Sequence, residues 1–481
     1  MEFSLLPYNK NGISSIGYGD RYCFFESIIM DEKHRIFREG DLKTVDPLLY
    51  EIMKGEGERQ KEKLLLNAAT SITPRSILEI QGSILDNIDA EGYIPRYIAD
   101  QSLEELKDID NSLALYKEYR DDRFNKCCEY VNIIEGLAIK RLAKAFESRK
   151  APAEKIKVNV QVPTGALANE IVYEALLNGG DIILSLGTQE GGHTTHGDRE
   201  HISYDRYKVI NYHIDMNTGA FDFDEIGELL EKHKPRIMVA GASSYPLSID
   251  WERLREEVDR HSPETLLMAD IAHTAGLVAG GAFNNPLGIA DITTMVGYKT
   301  FCGPRAAAIM TTGEELAKII DETVFPRIMG SPLLLGIGGL AVAGGIAMTE
   351  EYKAMQKAIV ENARTLCKEL VERGLDVVYG KTDSHIVLLD CEGYGTGREM
   401  MDILEDCNIL VNSVTVPSKG EYHDGLRLGT TAITQFGISQ EGIKEIADII
   451  AEVFQGKREK REVNYAELKE RVSRVMEREM E

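Results

Sequence analysis

The sequence lacks the cysteine patterns of a disulfide scaffold or a zinc site. Its seven cysteines (Cys23, Cys127, Cys128, Cys302, Cys367, Cys391 and Cys407) are scattered and odd in number, with no CxxC pair. They read as reduced thiols in a cytoplasmic protein. Basic charge is also short, with 55 Lys and Arg against 79 Asp and Glu and a formal net charge of -24. That balance argues against nucleic-acid and anionic-membrane partners, so any positive site must be local. The opening residues, MEFSLLPYNKNG, lack the basic start and apolar stretch of a signal peptide, and export is not expected. No GxGxxG follows the first strand of the expected sheet, which speaks against a dehydrogenase. Repeats and low-complexity tracts are absent as well.

One uncharged run, SPLLLGIGGLAVAGGIAMT at 331–349, approaches bilayer length. Its five glycines, its proline and the acidic flank Glu350-Glu351 suit a helix buried between domains, and no membrane span is expected.

What is present divides 481 residues into several expected units. Residues 1–44 form an appended arm, hairpin-like because the β-rich runs FFESIIMD and HRIFREG flank Glu32-Lys33. A helical segment that carries site residues occupies 45–97, opened by Asp46 as cap and Pro47 in the first turn and running through the leucines at 64–66. Residues 98–126 make a charge-rich helical insert. In 127–330, the short apolar runs KVNVQV, DIILSLG, KVINYHI, RIMVAGA, TLLMADIA and DITTMVG alternate with helical patterns, which predicts an α/β unit with a mainly parallel sheet covered on both faces. The interdomain helix spans 331–348. A smaller α+β domain covers 349–456, with LDVVYG, HIVLLDC, ILVN and GLRLGT as its extended runs, and a charged tail helix at 457–481 carries Leu468, Val472 and Val475 on one stripe.

The chemistry concentrates at strand ends. Asp270 closes the apolar start of MADIAHTAGLVAGG and Lys299 comes just after DITTMVG, so the two can reach opposite ends of one flat cofactor lying across the strand termini. An acid on a pyridinium nitrogen and a lysine that bonds an aldehyde are the requirements of pyridoxal-5'-phosphate (PLP). Taken singly, Asp270 could instead cap a loop and Lys299 be a solvated surface residue. Thr164 and Gly165, in the strand-turn-helix VQVPTGALANE, place helix-start amides where a phosphate fits. His193 and His196 in GGHTTHGD offer a flat ring for stacking, or a metal pair at i,i+3. Arg427, between apolar strand residues in GLRLGTTAIT, suits a substrate carboxylate or an internal ion pair.

Taken in order, DAEGYIPRY, CEYVNIIEGLAI, GGHTTHG, HKPRIMVAGASSYP, ADIAHTAGLVAGG, YKTFCGPR and GLRLGTTAIT resemble serine hydroxymethyltransferase from about residue 45 to 455. The resemblance implies a fold-type I PLP enzyme with a seven-stranded, mainly parallel sheet, built as a homodimer with shared active sites or as a tetramer. By the same resemblance Lys299 holds PLP, Asp270 binds its ring nitrogen and His193 stacks on it. Thr164 and Gly165 would take the phosphate, Ser243 and His273 the region of the cofactor oxygen and substrate, and Arg427 the substrate carboxylate. Glu91 corresponds to an acid/base carboxylate contributed across the dimer interface, and Gly330 to what remains of a phosphate loop also contributed there. Tyr97 stands for the first of two substrate-side tyrosines, the second being Ile98; Tyr298 replaces a histidine before the lysine.

Other departures fall on the acceptor side. Ala68 to Ser71 stand where the family has Ser-Glu-Asn-Phe, Asp89 replaces a tyrosine, and Thr188, Thr194 and Val414 occupy folate-flanking positions. The expectation is therefore an enzyme acting at the Cα–Cβ bond of a small amino acid, in serine/glycine one-carbon chemistry with tetrahydrofolate or another reduced pterin. A folate-independent aldolase or transaldolase is the first alternative, and a non-catalytic scaffold the second.

Overall fold

A computed structural model describes residues 40–480. The chain clusters into two units, residues 1–61 and 62–481. In the first, the expected hairpin falls on 1–39, outside the described residues. A helical turn, Leu42–Val45, is capped by the Asp41 side chain. Pro47 then opens the helix Pro47–Glu62, with Asp46 Oδ1 accepting from the Leu49 amide at 2.9 Å.

The expected helix ends sooner than its leucines suggest. Leu64–Leu65 form a short strand, β1, and Leu64, Leu65 and Leu66 are buried. Apolar runs this short fit either state, and here a strand partner decides.

The large sheet has seven strands: β2 (Lys157–Asn159), β3 (Ile182–Leu186), β4 (Lys208–Tyr212), β5 (Ile237–Gly241), β6 (Leu266–Asp270), β7 (Ile292–Val296) and β8 (Ala307–Thr311). Their order is β2-β8-β7-β6-β5-β3-β4, parallel from β7 through to β4, with β8 antiparallel to both neighbours. Every residue of β5, β7 and β8 is buried, as expected of strands covered on both faces. No sequence pattern announces β8, since its alanine-rich run AAIMT has weak strand propensity; sheet position overrides it.

A second sheet joins β9 (Ile386–Asp390), β11 (Asn412–Ser418) and β12 (Glu421–Gly429) in the antiparallel order β11-β12-β9, while β10 (Ile409–Leu410) pairs in parallel with β1. The run LDVVYG does not become a strand. It ends in a 3-10 turn, Val378–Gly380, with a single bridge from Val377 to Leu389. The uncharged run forms the helix Leu334–Ala347, ten of whose residues are buried, and the next helix, Glu350–Glu372, leaves it at 85°. Among the described residues no single helix is long and apolar enough to cross a membrane. In the tail helix, Tyr465–Met480, Leu468, Val472 and Val475 are buried in the cluster built around β9, β12 and the helix Gln440–Glu459.

Candidate active site

The carboxyl ends of the parallel strands converge on one cavity of about 130 Å³, the usual ligand position of an open α/β sheet. Asp270 ends β6, Lys299 lies just past β7, Ser243 just past β5 and His193 beyond β3. Thr164 and Gly165 begin the helix Gly165–Leu176 just after β2. All of these line the cavity, with His273 and Tyr298.

Asp270 is held from three sides. His196 Nε2 lies 3.0 Å from Oδ2, Asn169 Nδ2 donates to the same oxygen at 2.9 Å, and the Ala272 amide donates to Oδ1 at 2.9 Å. Burial opposes its charge, but the hydrogen bond and charge of His196, with His193 and Asn169, hold the carboxyl well below the usual carboxylate range. Sequence reasoning missed both Asn169 and this task of His196. Asn169 sits one helical turn beyond Gly165 on the sheet-facing side, a spacing that could have singled it out.

Burial pushes the His193 imidazole down to about 4 against the pull of Asp270, leaving a neutral flat ring. Its Nδ1 is 2.8 Å from Thr195 Oγ1. The metal alternative for His193 and His196 is not supported. The one cluster with metal-ligand spacing among the described residues is Asp390, Glu392 and His423, which contains neither.

Lys299 is buried and makes no hydrogen bond or ion pair among the described residues. Burial, with Asp270 pulling the other way and Arg427 adding to it, lowers its amine to about 8. Arg427 is likewise without an acidic partner among the described residues. Its Nη1 donates to the Ser243 carbonyl at 2.7 Å and its Nη2 to Asn412 Oδ1 at 2.9 Å, while Nε is buried and unbonded. The internal ion pair considered from sequence is not found among the described residues, and burial lowers the guanidinium to about 10.

His273, buried with its Nδ1 unbonded, stacks on His385 at 5.8 Å, and His385 Nε2 is 3.1 Å from the Ala68 carbonyl. Burial drives the His273 imidazole well below its ordinary value, Lys299 and Arg427 adding to the effect. His385 carried no sequence signal.

Four expected residues are not in this cavity's lining: Arg427, which reaches it only through Ser243; Tyr97; and the pair Glu91 and Gly330, which stand together. A Cβ built on Gly330 would be 3.2 Å from Glu91 Oε1, and the Ala90 amide donates to Ser331 Oγ at 3.1 Å. Tyr97 joins neither group. Its ring lies 6.0 Å from that of Tyr119 and its hydroxyl is buried without a partner, in the cluster of Ile98, Leu106 and Ile133. The insert is the reason. The chain that returns beside Glu91 is Arg123-Phe124, with the Phe124 amide on the Glu91 carbonyl at 3.1 Å.

A wider cavity of about 810 Å³ shares His193 and is lined by Thr188, Thr194, Glu190, Asp198 and Tyr422. Here Thr188 Oγ1 donates to Asp198 at 2.7 Å and the Tyr422 hydroxyl to Glu190 at 2.8 Å.

A family model described as serine hydroxymethyltransferase matches residues 42–116 and 108–450. The two segments meet in the insert. The chain is 40% identical over 422 residues to the serine hydroxymethyltransferase of Wolbachia sp. subsp. Brugia malayi (strain TRS), covering 87% of this chain and 91% of that one. It is 36% identical over 423 residues to the protein of the same name from Ehrlichia canis (strain Jake), covering 87% and 92%. Identity is also 36% over 418 residues with that of Nitrosospira multiformis, covering 86% and 92%.

Proposed function

We propose, from the premise that this chain belongs to the serine hydroxymethyltransferase family, that it is a PLP-dependent enzyme making or breaking the Cα–Cβ bond of a small amino acid, of the serine/glycine type. The observation that carries the reading is one cavity holding both a buried Lys299 amine, without a hydrogen bond or ion pair among the described residues, and an Asp270 carboxylate kept ionised. A pure scaffold has no use for that pair.

The residues present fit PLP. A Cβ on Gly165 would lie 2.7 Å from Val296 Cγ1, so only glycine leaves the helix start open at that point. Thr164, Gly165 and the amides there would hold the phosphate. Lys299 would bond the aldehyde, Asp270 keep the ring nitrogen protonated and His193 cover the ring face, with Tyr298 and His273 on the walls. When bound, PLP supplies an electron-accepting ring for the pair released as the Cα bond breaks.

The chain's own residues do the rest. Arg427, lacking an internal counter-ion, would grip the substrate carboxylate and fix which Cα bond stands across the ring. Ser243 orients Arg427 through its carbonyl and borders the substrate. Glu91 would move the β-hydroxyl proton. Glu91 and Gly330 stand together away from their own Lys299 cavity, which supports a homodimer in which each subunit completes its neighbour's site. The substrate-side reading of Tyr97 rests on the resemblance alone, since in this subunit its ring packs beside Tyr119. Six described cysteines are free, five of them buried, which supports a cytoplasmic setting.

The acceptor in this reading is tetrahydrofolate. A folate-independent aldolase is the second reading, favoured by the polar Thr188–Asp198 pair in the wider cavity. Incubating the holoenzyme with serine, with and without tetrahydrofolate, separates them. Folate-dependent glycine formation supports the first, and its absence beside cleavage of other β-hydroxy amino acids supports the second.

A further inference from the structure

Arg123 is buried, and one of its nitrogens meets the backbone on both sides of a single residue, Glu91. Nη1 donates to the carbonyls of Ala90 at 2.6 Å and Gly92 at 2.8 Å, the two residues on either side of Glu91. Nη2 pairs with Glu135, and Nε donates to Asn132 Oδ1 at 2.7 Å. Gln161 Nε2 reinforces the clamp, donating to the Gly92 carbonyl and to Glu135 Oε1, each at 2.9 Å. The turn so held requires glycine: Gly92 has φ +103°, and a Cβ there would lie 3.2 Å from Arg123 Cα. Against this dense backbone network, the Glu91 carboxylate makes no hydrogen bond or ion pair among the described residues.

A buried ion pair is a weak source of stability, since apolar residues of similar volume often serve as well. Nη1 reaches both carbonyls because the rest of the planar group is pinned by Asn132 and Glu135, a fixed orientation that a flexible lysine ammonium lacks. We propose that Arg123 is the positioning residue for Glu91. It holds the carbonyls of the residues on both sides and leaves the carboxylate free to face a substrate. Because Glu135 already balances its charge, Arg123 acts through geometry rather than through the field at Glu91. The inference rests on the reading of Glu91 as the group that moves the β-hydroxyl proton. It also gives the far end of the 98–126 insert a task in the site.

The test compares two reactions of the holoenzyme: conversion of L-serine to glycine with tetrahydrofolate, which needs Glu91, and exchange of the glycine α-proton with deuterated solvent, which does not. R123K keeps a charge for Glu135 but loses the fork. It should lower kcat for serine by about a hundred-fold, the cost of roughly 1 Å of misplacement. KM, cofactor absorbance and α-proton exchange should stay unchanged. E91Q should lose serine conversion alone, and E91Q/R123K should be no slower than E91Q, because residues acting as a unit are not additive. Q161M removes the amide that donates to the Gly92 carbonyl and to Glu135 while leaving Arg123 in place, and should show the same pattern more weakly, which covers the case in which R123K does not fold. Equal losses in both reactions, or additive losses in the double variant, would overturn the clamp. Full activity of R123K beside a crippled E91Q would overturn it alone, whereas full activity of E91Q would remove the acid–base reading and the clamp with it.

Discussion

His196 Nε2 stands 3.0 Å from Asp270 Oδ2, the same oxygen that accepts from Asn169. The pair fixes both the direction and the charge of the acid at the end of β6. A carboxyl with a depressed pKa contributes stability above its ordinary value, and that contribution is lost as pH falls through the folded value. Replacing His196 by Asn should raise the Asp270 pKa and shift the acid limb of both kcat and unfolding to higher pH. A shift of about one unit corresponds to roughly 1.4 kcal/mol. A pH–rate profile and an acid-unfolding curve identical to those of the parent would count against this role.

Arg427 is half-buried with three neutral acceptors, Ser243, Ser244 and Asn412, and no counter-ion among the described residues. Its natural complement is therefore an incoming carboxylate. Arg427→Leu should raise the KM for the amino acid while leaving cofactor absorbance intact, by a factor matching the roughly 2–5 kcal/mol of a buried hydrogen-bonded charge pair. Arg427→Lys should recover only part of this, because the fork is lost. Equal KM values for parent and Leu variant would remove Arg427 from the substrate site.

Burial lowers the Lys299 amine to about 8, so the reactive neutral form is reached well below the ordinary lysine range. The rate at which apoprotein captures PLP, monitored by absorbance, should rise with pH and level off above about 8. The apoprotein should also gain stability between that value and about 10.4, where the unfolded chain holds more protons than the folded one. A capture rate still climbing steeply past pH 10 would contradict the burial.

A methyl at Gly165 meets Val296 Cγ1 at 2.7 Å. G165A should weaken PLP binding by displacing the helix start, and V296A in the same chain should restore part of the affinity by removing the obstructing methyl. Equilibrium dialysis of PLP checks both; an unrelieved loss in the double variant would show that the obstruction lies elsewhere.

Much of the site could be read along the chain because its parts sit just past apolar strands. A buried strand announces its own end, and Asp270, Lys299, His193 and Thr164 lie at or just past such ends. The fold class was legible for the same reason, from strands alternating with helical patterns. Strand β8 escaped because its alanines carry no extended preference, and LDVVYG misled because β-branched residues fill a turn as readily once no second neighbour pairs with them.

The sequence by itself determined the chemistry available at each strand end, since side-chain type and local hydrophobic pattern are set residue by residue. Only the tertiary structure decided which of those groups meet. His196 reaches Asp270, His385 stacks on His273 and Arg123 closes on Glu91 across the insert through contacts between distant segments. Glu91 and Gly330 share a place apart from the Lys299 cavity for the same reason. Such pairings are fixed by packing the whole core, and no local pattern encodes them.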